Sequence, residues 1–286
     1  MSVRKLLRER DVRPDKGLGQ NFLTDATILE RIAQAAELGP NDVVLEVGAG
    51  TGALTTYLAR AAGQVIALEF DRRLKPILED ELSSFDNVSV VQGDILALDP
   101  ADLIGEVSER SEASLPHYKV VANLPYYITS AILRHILEAQ RRPDLMVVTV
   151  QREVAQRIVA NPGDMSVLSV SVQFYGDPEL LFSIKPGSFY PSPDVESAVV
   201  KIDVHATPPL RPDKIDGFFQ IVRAGFSQRR KQLHNSLSAG LGERISKHEA
   251  AARLDGADVD PRRRAQSLTV EEWVRVTQAF TDVLGT

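Results

Sequence analysis

The chain contains no cysteine, which excludes disulfides, thiolate metal sites and a cysteine nucleophile. Its five histidines, His117, His135, His205, His234 and His248, are scattered without the spacing of a metal site, and no metal is expected. No apolar run approaches the roughly 18–20 residues of a membrane helix. The stretch from Met1 to Lys16 is basic and polar with no apolar centre, so it does not read as a secretory signal. These absences imply a cytoplasmic protein without membrane association. Positive charge is not in excess either: 33 Lys and Arg stand against 39 Asp and Glu, for a net charge of −6. The total alone argues against a nucleic-acid partner, but its distribution says more. Arg4, Lys5, Arg8, Arg10, Arg13 and Lys16 crowd the N-terminus, Arg223, Arg229, Arg230 and Lys231 form a second cluster, and Arg262-Arg263-Arg264 a third. Such clusters bind phosphate on an otherwise acidic protein, or simply face solvent.

What is present is ordinary for a globular chain: 286 residues, 43% hydrophobic and 25% charged, enough for one large domain and a small one. From Asp42 onward short apolar runs alternate with helical stretches. Val43–Leu45, Val65–Leu68, Val88–Val91, Val120–Ala122 and Leu145–Val150 read as buried strands, with helices from Ala53, over Arg72–Leu82 and over Ile128–Ala139. Continuous apolar strands alternating with helices imply a parallel sheet covered on both faces. Ser166–Tyr175 and Val195–Val204 are β-rich and read as an antiparallel pair at the sheet edge. His205–Asp213, with Pro208, Pro209 and Pro212, reads as a linker. Helices are expected over Ile215–Phe226, Arg229–Leu241 and Val270–Leu284, the last capped by Thr269 with Glu271 and Glu272 in its first turn. The division is therefore a catalytic domain over 1–205 and a helical domain over 213–286.

Gly48-Ala49-Gly50-Thr51-Gly52-Ala53 follows the first of these strands and opens a helix. It fits the dinucleotide fingerprint, with Glu69 near the ribose-binding position about 20 residues on. The same segment, from Glu46, fits E-x-G-x-G-x-G, the loop of class I methyltransferases. Both need glycine so that the backbone turns tightly and admits a nucleoside, and from the loop alone they are even. Charge separates them. A dinucleotide presents an anionic pyrophosphate to the helix N-terminus, whereas S-adenosylmethionine is cationic at its sulfonium and ammonium. Glu46 suits the cation, and Asp94 adds a second acid at a strand's C-terminal end, where ligands of open α/β sheets bind.

Asn123-Leu124-Pro125-Tyr126 ends the fourth of these strands. An adenine N6 amine is a poor nucleophile because its lone pair delocalises into the ring. Acceptors for its two N–H groups favour a more tetrahedral nitrogen; the Asn123 side-chain oxygen is one and the Leu124 carbonyl the other candidate. Pro125 stiffens the turn, and Tyr126 offers a face on which an extruded base stacks. No nucleophilic side chain is required, because the sulfonium is already activated and catalysis is positioning and electrostatics. In isolation the same tetrapeptide is a common strand-ending turn.

With these motifs in order, the chain closely resembles the KsgA/RsmA-type ribosomal RNA adenine dimethyltransferases, over nearly its whole length. The resemblance is carried by Gly19-Gln20-Asn21-Phe22-Leu23, Leu45 to Thr55, Gln92-Gly93-Asp94, Ala122 to Thr129, Gln151 to Ala155, Phe189 to Val200 and Phe226 to Lys231. It implies an α/β fold, a class I Rossmann-like methyltransferase domain with a mostly parallel seven-stranded sheet, plus a small C-terminal α-helical domain that binds RNA. It implies a donor site using Asn21, Leu23, Gly48, Glu69, Asp94 and Asn123, to which the loop motif adds Glu46 and Gly50, with Glu69 on the ribose hydroxyls and Asp94 near the adenine amine. It implies Phe189 as a second aromatic surface on the target base; the basic cluster of Arg223, Arg229, Arg230 and Lys231 is expected on RNA. The implied reaction is S-adenosylmethionine-dependent dimethylation of two adjacent adenosines in a hairpin near the 3′ end of small-subunit ribosomal RNA, by a monomer acting on a pre-30S particle. Asn21 and Leu23 take their roles from the resemblance alone.

The chain departs from the family's pattern in two places. Asn161-Pro162-Gly163-Asp164-Met165-Ser166 stands where the family has a longer segment that contacts substrate, and Ser108–Ser114 is an insertion. Two related readings remain at this point: a large-subunit enzyme of the macrolide-resistance type, and a nonenzymatic assembly factor that binds ribosomal RNA.

Overall fold

The computed structural model describes residues 2–15, 17–108 and 117–284. Lys16 and nearly all of the 108–114 insertion therefore lie outside the described residues. Two compact units are present, one of 1–155 with 178–204, the other of 156–177 with 205–286. The expected continuous 1–205 domain is thus interrupted, because 156–177 packs with the C-terminal helices.

Among the described residues the first unit is built on nine strands. These are β1 (Phe22–Leu23), β2 (Val43–Val47), β3 (Gln64–Glu69), β4 (Val88–Gln92), β5 (Tyr118–Asn123), β6 (Leu145–Gln151), β7 (Gly176–Ile184), β8 (Phe189–Tyr190) and β9 (Ser197–Val204). Seven form one sheet in the order β4-β3-β2-β5-β6-β9-β7, while β1 and β8 pair separately. The pairings among β4, β3, β2, β5 and β6 are parallel, and β9 runs antiparallel to β6. The sheet is therefore the mostly parallel seven-stranded one expected. Every residue of β2 is buried, as a strand covered on both faces requires. Chain order reverses on either side of β2, which opens a crevice at the C-terminal ends of β2 and β5.

Two expectations fail here. Ser166–Tyr175 is not a strand: Val167–Tyr175 is a helix, capped reciprocally by Ser166 and Ser169. It is buried on most sides, at Leu168, Val170, Val172, Phe174 and Tyr175, so it shows no polar stripe, and its β-branched residues imitate a strand. The antiparallel partner of β9 within the expected pair is instead β6. The basic helix Val3–Glu9, which buries Leu6 and Leu7, was not anticipated.

In the second unit Phe174 stacks on Phe218 with ring centroids 4.3 Å apart. The helix Pro212–Phe226 starts with proline in its first turn, where the missing N–H costs nothing. It crosses Leu233–Leu241 so closely that a Cβ on Gly240 would lie 2.6 Å from the Ala224 Cα. That second helix begins four residues later than expected, which leaves Arg229, Arg230 and Lys231 in an exposed turn. Val270–Ala279 carries the expected cap: Thr269 Oγ1 accepts from the Glu272 amide and Glu272 accepts from the Thr269 amide. No helix among the described residues is long and apolar enough to cross a membrane.

Candidate functional site

Parallel strands all deliver their C-terminal ends to one edge of the sheet. Here that edge carries Gly48 after β2, Glu69 ending β3, Asp94 after β4 and Asn123 ending β5. These residues line a cavity of about 270 Å³, closed on another side by residues 18–22. The sequence motifs thus meet in one place within the first unit.

The glycine loop has the shape the motif requires. Gly48, Gly50 and Gly52 adopt φ of +77°, +64° and +80°, where side chains are strained. At Gly50 space is also short, since a Cβ would stand 3.1 Å from Phe22 Cδ1. Glu69 grips this loop. Its Oε2 accepts from the Gly50 amide and its Oε1 from the Asp71 amide, each at 2.8 Å. A carboxylate accepts about four hydrogen bonds, which leaves acceptor capacity for a diol. Burial raises the Glu69 pKa, against the opposing pull of the Asp71, Gly50 and Phe70 amides. Asp94 caps the short turn Ile95–Ala97, accepting from the Leu96 amide at 3.0 Å through one oxygen. Among the described residues the lining holds these two carboxylates and no lysine, arginine or histidine. A pyrophosphate would face acids without a counter-cation, whereas a cationic nucleoside fits.

Glu46 behaves differently from expectation. It is 1% exposed and does not line the cavity. Strand alternation turns it from the face reached by its neighbour Val47, which does line it. Its Oε2 is buried with no hydrogen-bond partner among the described residues. Burial, reinforced by the nearby Glu69 charge, pushes its pKa up to about 8.

The tetrapeptide is anchored at each residue. Asn123 donates from Nδ2 to the Asn21 carbonyl at 3.0 Å, and Leu124 donates its amide to the Thr149 carbonyl on β6 at 3.1 Å. The Pro125 carbonyl accepts from Thr129 Oγ1 at 3.0 Å. Tyr126 is half-buried, its hydroxyl 2.6 Å from Ser197 Oγ, and burial raises its pKa. All four line the cavity, as do Asn21, Gly48, Gly50, Glu69 and Asp94.

Leu23 and Phe189 do not. They pair across β1 and β8 and are 4% exposed within one apolar cluster with Leu29 and Ile32. The second aromatic surface expected of Phe189 is thus a core ring. The residues that reading missed are Phe70, Leu96 and Tyr127, which line the cavity while 54%, 37% and 58% exposed. Their signal was available, since each closely follows a motif residue at a strand end.

The basic clusters divide. In the second unit Arg223, Arg229, Arg230 and Lys231 are exposed and make no ion pair among the described residues. Arg262 is spent on Asp260 at 3.1 Å and Arg263 on Glu272 at 2.5 Å. In the first unit Arg10 pairs with Asp80, and Arg4 stands over the Tyr190 ring. The short 161–166 loop is held by Gln266, whose Nε2 donates to the Gly163 carbonyl at 2.7 Å and whose own carbonyl accepts from the Gly163 amide at 2.8 Å.

Comparison with known proteins agrees with this geometry. Two relatives, each a ribosomal RNA small subunit methyltransferase A, come from Dehalococcoides mccartyi and Moorella thermoacetica. The first is 44% identical over 98% of this chain and 93% of its own. The second is 46% identical over 96% and 95%. Among solved structures, the 23S rRNA methyltransferase ErmE is 30% identical, with a TM-score of 0.71 over 91% of this chain and 100% of its own. A dimethyladenosine transferase from Plasmodium falciparum shares the fold, with a TM-score of 0.76 at 24% identity over 92% of this chain and 98% of its own. The family model for ribosomal RNA adenine dimethylase matches residues 13–282, a span that takes in the glycine loop, both lining acids and the Asn123 tetrapeptide, so the chain belongs to that family.

Proposed function

We propose that this protein transfers methyl groups from S-adenosylmethionine to adenine N6 in small-subunit ribosomal RNA, dimethylating two adjacent adenosines near the 3′ end. The observation that carries the reading is the Asn123–Asn21 bond. A backbone carbonyl only accepts, so the Asn123 amide must turn its NH₂ to Asn21 and keep Oδ1 for another donor. At a cavity wall that oxygen suits an aromatic amine.

When bound, S-adenosylmethionine supplies an activated methyl group. Glu69 would hold the ribose hydroxyls and Asp94 the adenine amine of the donor. Asn123 Oδ1 and the Leu124 carbonyl accept from the target N6, and Tyr126 stacks on its ring. On accepting a methyl group the target N6 would gain positive character that these two acceptors would stabilise, and its proton would then leave to water. Each transfer leaves the amine with one N–H fewer, so the second round relies on the acceptor that still has a partner.

The small-subunit relatives are 44–46% identical to this chain, against 30% for the solved 23S enzyme, which favours the small subunit over the macrolide-resistance reading. We place the reaction in the cytoplasm, on a pre-30S particle contacted by Arg223, Arg229, Arg230 and Lys231. We take the protein as a monomer: among the described residues, three of the four exposed large hydrophobics, Phe70, Leu96 and Tyr127, belong to the cavity, which leaves little apolar surface there for a partner copy. Incubation with labelled donor and purified small-subunit particles or large-subunit RNA tests the assignment. Dimethyladenosine in the small-subunit RNA is the expected product. Label confined to large-subunit RNA would overturn it, and donor binding with transfer to neither would favour an assembly factor.

A further inference from the structure

Residues 18–22 wall the donor cavity, yet they belong to no helix and contribute only Phe22 to a strand. Beside the Asn123 bond and the β1–β8 pairing, one buried carboxylate holds them there. Asp71 follows β3 and is 6% exposed. Its Oδ2 accepts from Gln20 Nε2 at 2.8 Å and from Arg73 Nη2 at 2.6 Å. Its Oδ1 accepts from the Arg73 amide and Nε at 3.0 and 2.9 Å. The Arg73 guanidinium holds the Asp71 carboxyl below its ordinary range, so it stays a charged acceptor.

Gln20 passes this grip along the chain. Its Oε1 accepts from the Asp15 amide at 2.7 Å and its backbone N–H donates to the Asp15 carbonyl, so Gln20 is bound twice to Asp15. The next residue is Asn21, whose Nδ2 donates to the Gly19 carbonyl at 3.1 Å and whose carbonyl receives Asn123. In the other direction the Asp71 amide donates to Glu69, which holds Gly50. Asp71 thus touches both walls of the cavity through single intermediaries and does not itself line it.

We propose that Asp71 is a positioning residue: with Gln20 it latches residues 17–21 at the wall of the donor cavity and so fixes the Asn21 carbonyl that orients Asn123. The latch rests on the methyltransferase reading for its effect on turnover, but not for its effect on donor affinity. Charge-assisted hydrogen bonds such as Gln20 to the Asp71 carboxylate exceed neutral ones in strength, and loss of the donor here leaves a buried acceptor short of a partner.

The test exchanges the two polarities. Gln20→Glu keeps the oxygen that accepts from Asp15 but faces the Asp71 carboxylate with a second one. Asp71→Asn on that background supplies an NH₂ to the new carboxylate. In Gln20→Glu we expect the S-adenosylmethionine Kd, by calorimetry, to rise about tenfold and kcat to fall at least as much. In the double variant both recover in part, by at least about threefold relative to the single variant, since Arg73 Nη2 loses its Asp71 Oδ2 acceptor; melting temperatures confirm that each variant is folded. Gln20→Glu within twofold of wild type in both quantities would overturn the latch, and so would a double variant no better than the single. If wild type binds donor but methylates no small-subunit RNA, the function proposed above fails, and the Kd series alone still decides the latch.

Discussion

The side chain of Asn123 and the backbone of Asn21 are joined by a 3.0 Å hydrogen bond in which Asn123 is the donor. Residues far apart in the chain thereby settle the orientation of one amide. Asn123→Ala should lower methyl transfer by at least about 10²-fold, the scale for loss of one preorganised polar contact, while the donor Kd changes by less than about threefold. Asn123→Asp should be nearly as poor, because an ionised carboxylate sets acceptor against the Asn21 carbonyl. Steady-state transfer assays beside calorimetry separate the two effects; an equal loss of donor affinity would make Asn123 chiefly a donor ligand.

Gly50 is constrained twice, by its φ of +64° and by Phe22 at 3.1 Å from the position of a Cβ. Gly50→Ala should cost about 1–2 kcal/mol in backbone strain and displace Phe22 into the cavity. The expected outcome is a donor Kd raised tenfold or more in a protein that still unfolds cooperatively, as calorimetry and thermal melts would show.

Glu46 sets a pH dependence of stability in the donor-free protein. Its ordinary pKa of 4.5 rises to about 8 in the fold. Between those values the folded state holds a proton that the unfolded chain releases, so stability falls as pH rises through that window, by up to ~1.4 kcal/mol per unit. Glu46→Gln removes this slope. Urea denaturation at pH 5 and pH 8 should show the variant gaining on wild type at the higher pH; parallel behaviour at both would contradict the burial account.

Arg229 and Arg230 are exposed beside Lys231 in the second unit. If both neutralise RNA phosphates, replacing them with alanine should weaken RNA binding and lower the magnitude of the slope of log K against log salt by about 1.5. Filter binding across a salt series reads it directly, and an unchanged slope would remove them from the interface.

Much of the site was legible because its motifs are short and contiguous. The glycine loop, Asp94 and Asn123 to Tyr126 each sit at a strand end, and a parallel sheet brings strand ends together without further information. The latch was not legible. Gln20 and Asp71 are ordinary polar residues whose pairing depends on how the N-terminal segment folds back, and neither periodicity nor motif spacing records that. Phe189 was assigned by resemblance and Glu46 by the loop motif and charge, but β-strand alternation and burial decide which way a side chain faces, and neither lines the cavity. Ser166–Tyr175 was misread for a related reason: a helix buried on most sides loses the polar stripe that identifies it.

Mass spectrometry of ribosomal RNA from cells with and without the protein tests the central claim most directly. Loss of dimethyladenosine from two adjacent positions near the 3′ end of the small-subunit RNA, restored by the wild-type chain and not by Asn123→Ala, is the predicted result. Unchanged small-subunit dimethyladenosine in cells lacking the protein would contradict it.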